Sequence, residues 1–137
     1  MNATVLVVDD DEDNVRILSL SLLRCDYEVR IARDGSTALT SVRQQRPDVI
    51  LLDVMMPGMD GMQVLDRLKL DPKTASIPVV MVTARTQDED VLAGYQSGAE
   101  YYITKPFTLR QILYAIGLVL GNQEPRLIVL AAGRGAG

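Results

Sequence analysis

Five short apolar runs alternate with five longer segments of helical spacing, and this alternation constrains the fold more than any other feature of the chain. The runs are Val5–Val8, Val29–Ala32, Val49–Leu52, Val79–Val82 and Tyr101–Thr104. Between and after them lie apolar stripes at helical intervals: Val15, Leu18, Leu22 and Cys25; Ala38, Leu39 and Val42; Met62, Leu65 and Leu68; Val91, Leu92 and Tyr95; Leu109, Ile112, Ile116 and Leu120. Short, nearly unbroken β-branched runs suit strands buried on both faces, as parallel sheets flanked by helices require. Five such strand–helix units predict a doubly wound α/β domain. The punctuation agrees. Pro47 and Asp48 precede the third strand, Pro78 opens the fourth, and Gly98 stands where a helix ends before the fifth.

The fifth helix is expected to end near Gly121, so the reading places one domain at 1–121 and a linker or tail at 122–137. An apolar run followed by Gly133-x-Gly135 resembles a dinucleotide turn only faintly, because too few residues remain to build the helix that must follow.

Composition excludes several kinds of chemistry. The chain has 137 residues, no histidine and one cysteine. Ser–His and Cys–His nucleophilic systems are therefore ruled out, as is a zinc site built from His and Cys. One cysteine cannot form an internal disulfide, which fits a reducing compartment. The net charge of −4 gives this segment no electrostatic attraction to DNA or anionic lipid. The N-terminus lacks the basic and long apolar regions of a signal peptide, and no apolar stretch approaches the ~20 residues that cross a bilayer. The expectation is a cytoplasmic protein with no membrane and no direct nucleic-acid partner.

Polar residues gather at the C-terminal ends of the apolar runs. The first ends in Asp9, Asp10 and Asp11, the third in Asp53, the fourth in Thr83 and the fifth in Lys105. In open α/β sheets, sites form beyond these strand ends, where the strand order reverses. The second strand delivers Arg33 and Asp34, which are not assigned to the site. Carboxylates held together repel one another unless a cation joins them. Lys105 brings one positive charge, and an oxygen-only ligand set favours Mg²⁺, Mn²⁺ or Ca²⁺. Mg²⁺ binds one or two carboxylates, keeps waters and shares phosphate oxygens, so the constellation suits phosphate. With no stronger nucleophile available, an Asp attacking phosphorus would give an aspartyl phosphate.

The motifs Val-Val-Asp9-Asp10, Leu-Leu-Asp53-Val-Met-Met-Pro57-Gly-Met-Asp-Gly61, Val-Thr83-Ala84 and Lys105-Pro106-Phe107 stand in this order across about residues 4–121. In this the chain resembles the receiver domains of two-component response regulators. The resemblance implies a flavodoxin-like sheet of order 2-1-3-4-5 with five flanking helices. It implies Asp53 as the phosphoacceptor, with Asp9, Asp10, Asp53 and the backbone carbonyl of Met55 around Mg²⁺. Thr83 matches the switch hydroxyl, Tyr102 the switch aromatic and Lys105 the phosphate-pairing lysine, with a cis Lys105-Pro106 bond. The phosphoryl donor would be a phosphohistidine of a sensor histidine kinase or a histidine phosphotransfer protein, a role this chain cannot fill itself. The output would be a protein, a domain or a homodimer contacting the face of the fourth helix, fifth strand and fifth helix.

Other residues have plainer readings. Asp11, Glu12 and Asp13 suit a helix N-terminus. Cys25 and the methionines suit core and loop positions, and Gly58 and Gly61 suit a tight turn before a helix. Tyr114 and Leu118 fall away from the core stripe of the fifth helix, which makes that helix apolar on most sides. Gln111 and Ala115 stand where many DNA-binding regulators carry a Glu and an Arg for a charged dimer contact. The stretch 68–74 is more similar to single-domain or cyclase-linked receivers. Met55 cannot position an attacking water as an amide or acid could, and with Arg85 it predicts slow self-dephosphorylation. Two other functions compete. A pseudo-receiver would lack an acceptor, acid or lysine, and none is missing. A haloacid-dehalogenase-like phosphatase would place its nucleophile after the first strand, but Asp13 stands where its motif needs Thr or Val, and the acidic pair after its Lys is absent.

Overall fold

The computed structural model describes residues 2–84 and 98–121. Its strands are β1 (Thr4–Val8), β2 (Glu28–Ala32), β3 (Val49–Asp53), β4 (Val79–Ala84) and β5 (Tyr101–Lys105). They form one parallel sheet in the order β2-β1-β3-β4-β5. Four helices are described: α1 (Glu12–Arg24), α2 (Gly35–Gln44), α3 (Gly61–Leu70) and α4 (Leu109–Leu120). The stripe of Val91, Leu92 and Tyr95 lies outside the described residues, as do Arg85 and the 122–137 segment. The sheet order and its flanking helices match the expected doubly wound architecture.

Alternation along each strand divides the core in two. Leu6 and Val8, Ile50 and Leu52, and Val79 and Met81 face one side, with Ala38, Leu39 and Val42 of α2 and Val64, Leu65 and Leu68 of α3. Val5 and Val7, Val49 and Leu51, and Val80 and Val82 face the other, with Leu18 and Leu22 of α1 and Ile112, Leu113, Ala115 and Ile116 of α4. Because strand side chains project alternately, only a strand covered on both faces can be apolar at every position. Each such fully buried side chain contributes roughly 1.5–3 kcal/mol.

β2 departs from the expected pattern of strands covered on both faces: Val29 and Arg30 are half-buried and Ile31 is 42% exposed. Among the described residues it is an edge strand, paired with β1 on one flank alone. Arg30 uses that position to cap α2, donating to the carbonyls of Gln45 and Ser41 and to the Ser41 hydroxyl.

The helix ends follow from local chemistry. Asp11 caps α1 by accepting from the N–H groups of Asp13 and Asn14, and Glu12 and Asp13 complement the dipole in the first turn, as expected. Asp60 with Gln63 and Thr108 with Gln111 form capping boxes at α3 and α4. Asp34 caps α2, accepting from Thr37 N–H, so it serves the helix. At the end of α1, Tyr27 N–H reaches Leu22 O while Asp26 adopts a left-handed φ of 68°. Cys25 sits at the C-cap and packs at the edge of the core.

Candidate functional site

β1, β3, β4 and β5 all run in one direction, so their C-terminal ends converge on one edge of the sheet. Asp9 follows β1 directly and is 4% exposed. Asp53 is the last residue of β3 and is 3% exposed. Thr83 lies within β4 and is fully buried, while Lys105 closes β5. Asp10 is exposed at the rim. Four strands thus present the five residues expected at the site.

Carboxylate oxygens of Asp9, Asp10 and Asp53 all lie within 4.8 Å of one another. The ammonium of Lys105 is 3.3 Å from Asp53 Oδ1. Among the described residues, that oxygen has no aligned hydrogen bond, and neither has the buried hydroxyl oxygen of Thr83. A buried polar group without a partner is costly, so both atoms keep capacity for a further hydrogen bond or ligand. Burial, then the neighbouring Asp9 charge, pushes the Asp53 carboxyl up from 3.8 to about 6, against the pull of Lys105 and the Met55 N–H. Two buried carboxylates side by side with one lysine leave negative charge uncompensated. An all-oxygen donor set with that excess fits a hard divalent cation such as Mg²⁺.

The loop after β3 is shaped by the site. Met55 is 57% exposed, so its side chain points away from the core, whereas Met56 is buried. Gly58 takes a left-handed φ of 75°, as a tight turn requires. Gly61 does something different from the expected turn role. A Cβ there would lie 2.3 Å from the Asp53 carbonyl oxygen and 2.7 Å from Val54 Cα, and its N–H donates to Val54 O at 2.9 Å. The first residue of α3 therefore presses on the backbone of Asp53, which only a residue without a side chain permits. The Lys105-Pro106 bond is cis, as the resemblance implied.

Tyr102 is buried with Met81 and Ala99 on the α2–α3 side of the sheet. Tyr114 and Leu118 of α4 are 41% and 39% exposed, on the outer face as expected. Ala115 is different: it is fully buried against the sheet, because it shares the inner face of α4 with Ile112 and Ile116. It cannot act as a surface dimer position. Gln111 is exposed and engaged in the Thr108 capping box. Sequence reasoning also passed over Asn14, whose side-chain amide donates to Asp9 Oδ2 at 3.3 Å.

A five-stranded parallel sheet in this order, with an acidic cluster, a hydroxyl and a lysine at one edge, is the arrangement that the resemblance to receiver domains implied. The sequence matches the response regulator receiver domain over residues 5–117, and the chain belongs to that family. It is 53% identical over 106 residues to the response regulator PleD of Caulobacter vibrioides, covering 77% of this chain and 23% of that protein. It is 40% identical over 124 residues to the DNA-binding response regulator MtrA of Mycolicibacterium smegmatis, covering 90% of this chain and 53% of that protein. The chain thus spans about a quarter of the first relative and half of the second. Among solved structures, Vibrio cholerae chemotaxis protein CheY4 matches with a TM-score of 0.81 and 33% identity, over 87% of this chain and 99% of that one. The signal receiver domain of a signal transduction histidine kinase from Syntrophus aciditrophicus matches with a TM-score of 0.81 and 30% identity, over 87% and 90%. Among the described residues, no helix is long and apolar enough to cross a membrane.

Proposed function

We propose that the chain accepts a phosphoryl group on Asp53 from a phosphohistidine of a sensor histidine kinase or histidine phosphotransfer protein, in a Mg²⁺-dependent reaction. The observation that carries this reading is the buried Asp53 carboxylate at the end of β3, with Lys105 at 3.3 Å and two further carboxylates within 4.8 Å. An Asp53 oxygen attacks phosphorus, the P–N bond to the donor imidazole breaks, and the imidazole leaves with the bonding electrons. Lys105 pairs with the phosphoryl oxygens as their charge redistributes, and the Thr83 hydroxyl, which has no hydrogen-bond partner among the described residues, donates to one of them. Asp9, Asp10, Asp53 and the Met55 carbonyl would hold Mg²⁺, which when bound supplies positive charge to the same oxygens.

The change at Thr83 would be relayed through Tyr102 to the face of β5 and α4, the latter being the fifth helix expected from the sequence. Tyr114 and Leu118 on that face would contact an output protein or domain, or a second copy. Residues 1–121 form the receiver in this reading and 122–137 a linker or tail. A cytoplasmic setting fits the single cysteine and the absence of a membrane-spanning helix among the described residues. DNA binding, which the name of MtrA states for that protein, is not assigned to this acidic segment. Phosphoryl loss is expected to be slow, because Met55 offers no group to orient water. A half-life unchanged by Met55→Asn and Arg85→Ala together would count against that.

The test is incubation with Mg²⁺ and acetyl phosphate, and with a phosphohistidine donor, read by intact mass. A gain of about 80 Da, one phosphoryl group, that is lost in Asp53→Asn and with EDTA supports the proposal. A folded protein that binds Mg²⁺ yet gains no mass from either donor refutes it and favours a pseudo-receiver.

A further inference from the structure

The buried Asp9 carboxylate is held from both sides by the N-cap and the first turn of α1. The N–H of Asp11 donates to Oδ1 at 2.9 Å, and the side-chain amide of Asn14 donates to Oδ2 at 3.3 Å. Asn14 is itself fixed, because its backbone N–H donates to the capping carboxylate of Asp11 at 3.1 Å. One donor alone would leave the carboxylate free to pivot. Two donors on different oxygens set its plane, and both come from residues whose positions the helix N-terminus dictates.

We propose that Asn14 is a positioning residue for the cation site, orienting Asp9 for Mg²⁺ without itself touching the metal or the phosphoryl group. This rests on the receiver reading above. The choice of an amide has a physical reason. A lysine or arginine at this place would neutralise the carboxylate and compete with the cation. A neutral N–H donor fixes the oxygen while leaving the Asp9 charge available. Each carboxylate oxygen keeps a lone pair beyond the one that accepts from α1, so holding and binding are compatible. Mg²⁺ demands near-ideal octahedral geometry, whereas Ca²⁺ accepts irregular ligand sets, so a loosened Asp9 should cost Mg²⁺ more than Ca²⁺.

The experiment titrates the metal-free full chain with MgCl₂ and, separately, with CaCl₂, following amide chemical shifts, for wild type and Asn14→Ala. Loss of an outer-shell partner of a metal ligand typically costs 10–100-fold, so Asn14→Ala should weaken Mg²⁺ about tenfold and Ca²⁺ clearly less. Loss of the amide leaves a buried Asp9 oxygen short of a donor, and the better helix propensity of alanine offsets only part of that, so the melting temperature of the metal-free variant should fall modestly while amide shifts away from the site stay unchanged, which separates the effect on the cation from unfolding. Unchanged or tighter Mg²⁺ binding in the variant overturns the positioning role, and so does an equal loss for both ions. Wild-type protein that binds no Mg²⁺ overturns the receiver metal site as well, whereas wild-type binding with an indifferent variant overturns Asn14 alone.

Discussion

Replacing Asp53 with asparagine should make the metal-free protein more stable, and the gain should grow with pH. Asp53 is 3% exposed, and its carboxyl is raised from 3.8 to about 6 by burial and by Asp9. Between those values the folded state holds a proton that the unfolded chain has released, so stability falls as pH rises through this window. The full cost is reached above the folded value. A shift of about two units, at 1.36 kcal/mol per unit, corresponds to about 3 kcal/mol at pH 7.5 and to about 1 kcal/mol at pH 4.5. Asparagine keeps the shape and removes the titrating charge. Urea unfolding of wild type and Asp53→Asn in EDTA, at several pH values in that range, measures the difference directly. The variant should lead by about 3 kcal/mol at pH 7.5 and by about 2 kcal/mol less at pH 4.5. Adding Mg²⁺ at pH 7.5 should raise the wild type far more than the variant, since the cation replaces the missing positive charge. A stability difference that does not change with pH, or a wild type more stable than the variant at pH 7.5, would refute the reasoning.

Other expectations follow from single contacts. Gly61→Ala should destabilise by about 3 kcal/mol or more, because its Cβ would meet the Asp53 carbonyl at 2.3 Å, and acetyl phosphate labelling of Asp53 should fall with it. Urea midpoints and mass spectrometry report both effects. Asp26→Gly should stabilise the fold by about 1 kcal/mol, since residue 26 holds φ at 68° at the end of α1, where glycine carries no Cβ penalty. The melting temperature checks it. Tyr114→Ala, on the outer face of α4, should change stability by no more than about 0.5 kcal/mol while weakening partner binding or self-association of the phosphorylated protein. A phosphorylated protein that stays monomeric and a variant that binds its partner unchanged would dismiss that face.

The architecture was legible because it is written in local periodicity. Runs such as Val49–Leu52 are apolar at every position only when both faces of a strand are covered, and that requirement alone implies a parallel sheet between helix layers. The acids, Thr83 and Lys105 were legible as a group because parallel strands carry their ends to one edge, whatever the spacing in sequence. Tertiary packing decided the rest. Ile31 lies in an apolar run yet is 42% exposed, because strand order, not composition, makes β2 an edge. By the resemblance Ala115 was expected at a dimer-contact position, yet it is fully buried, because helix rotation is set by which side chains fit the sheet. Gly61 reads as a turn glycine, but its role is a close approach to a strand eight residues earlier, which no local pattern encodes. Asn14 is one more polar residue on the first turn of a helix until the chain reversal at Asp11 brings its amide to Asp9. Periodicity fixes which residues face inward, but distances between side chains from different elements exist only once the sheet has assembled.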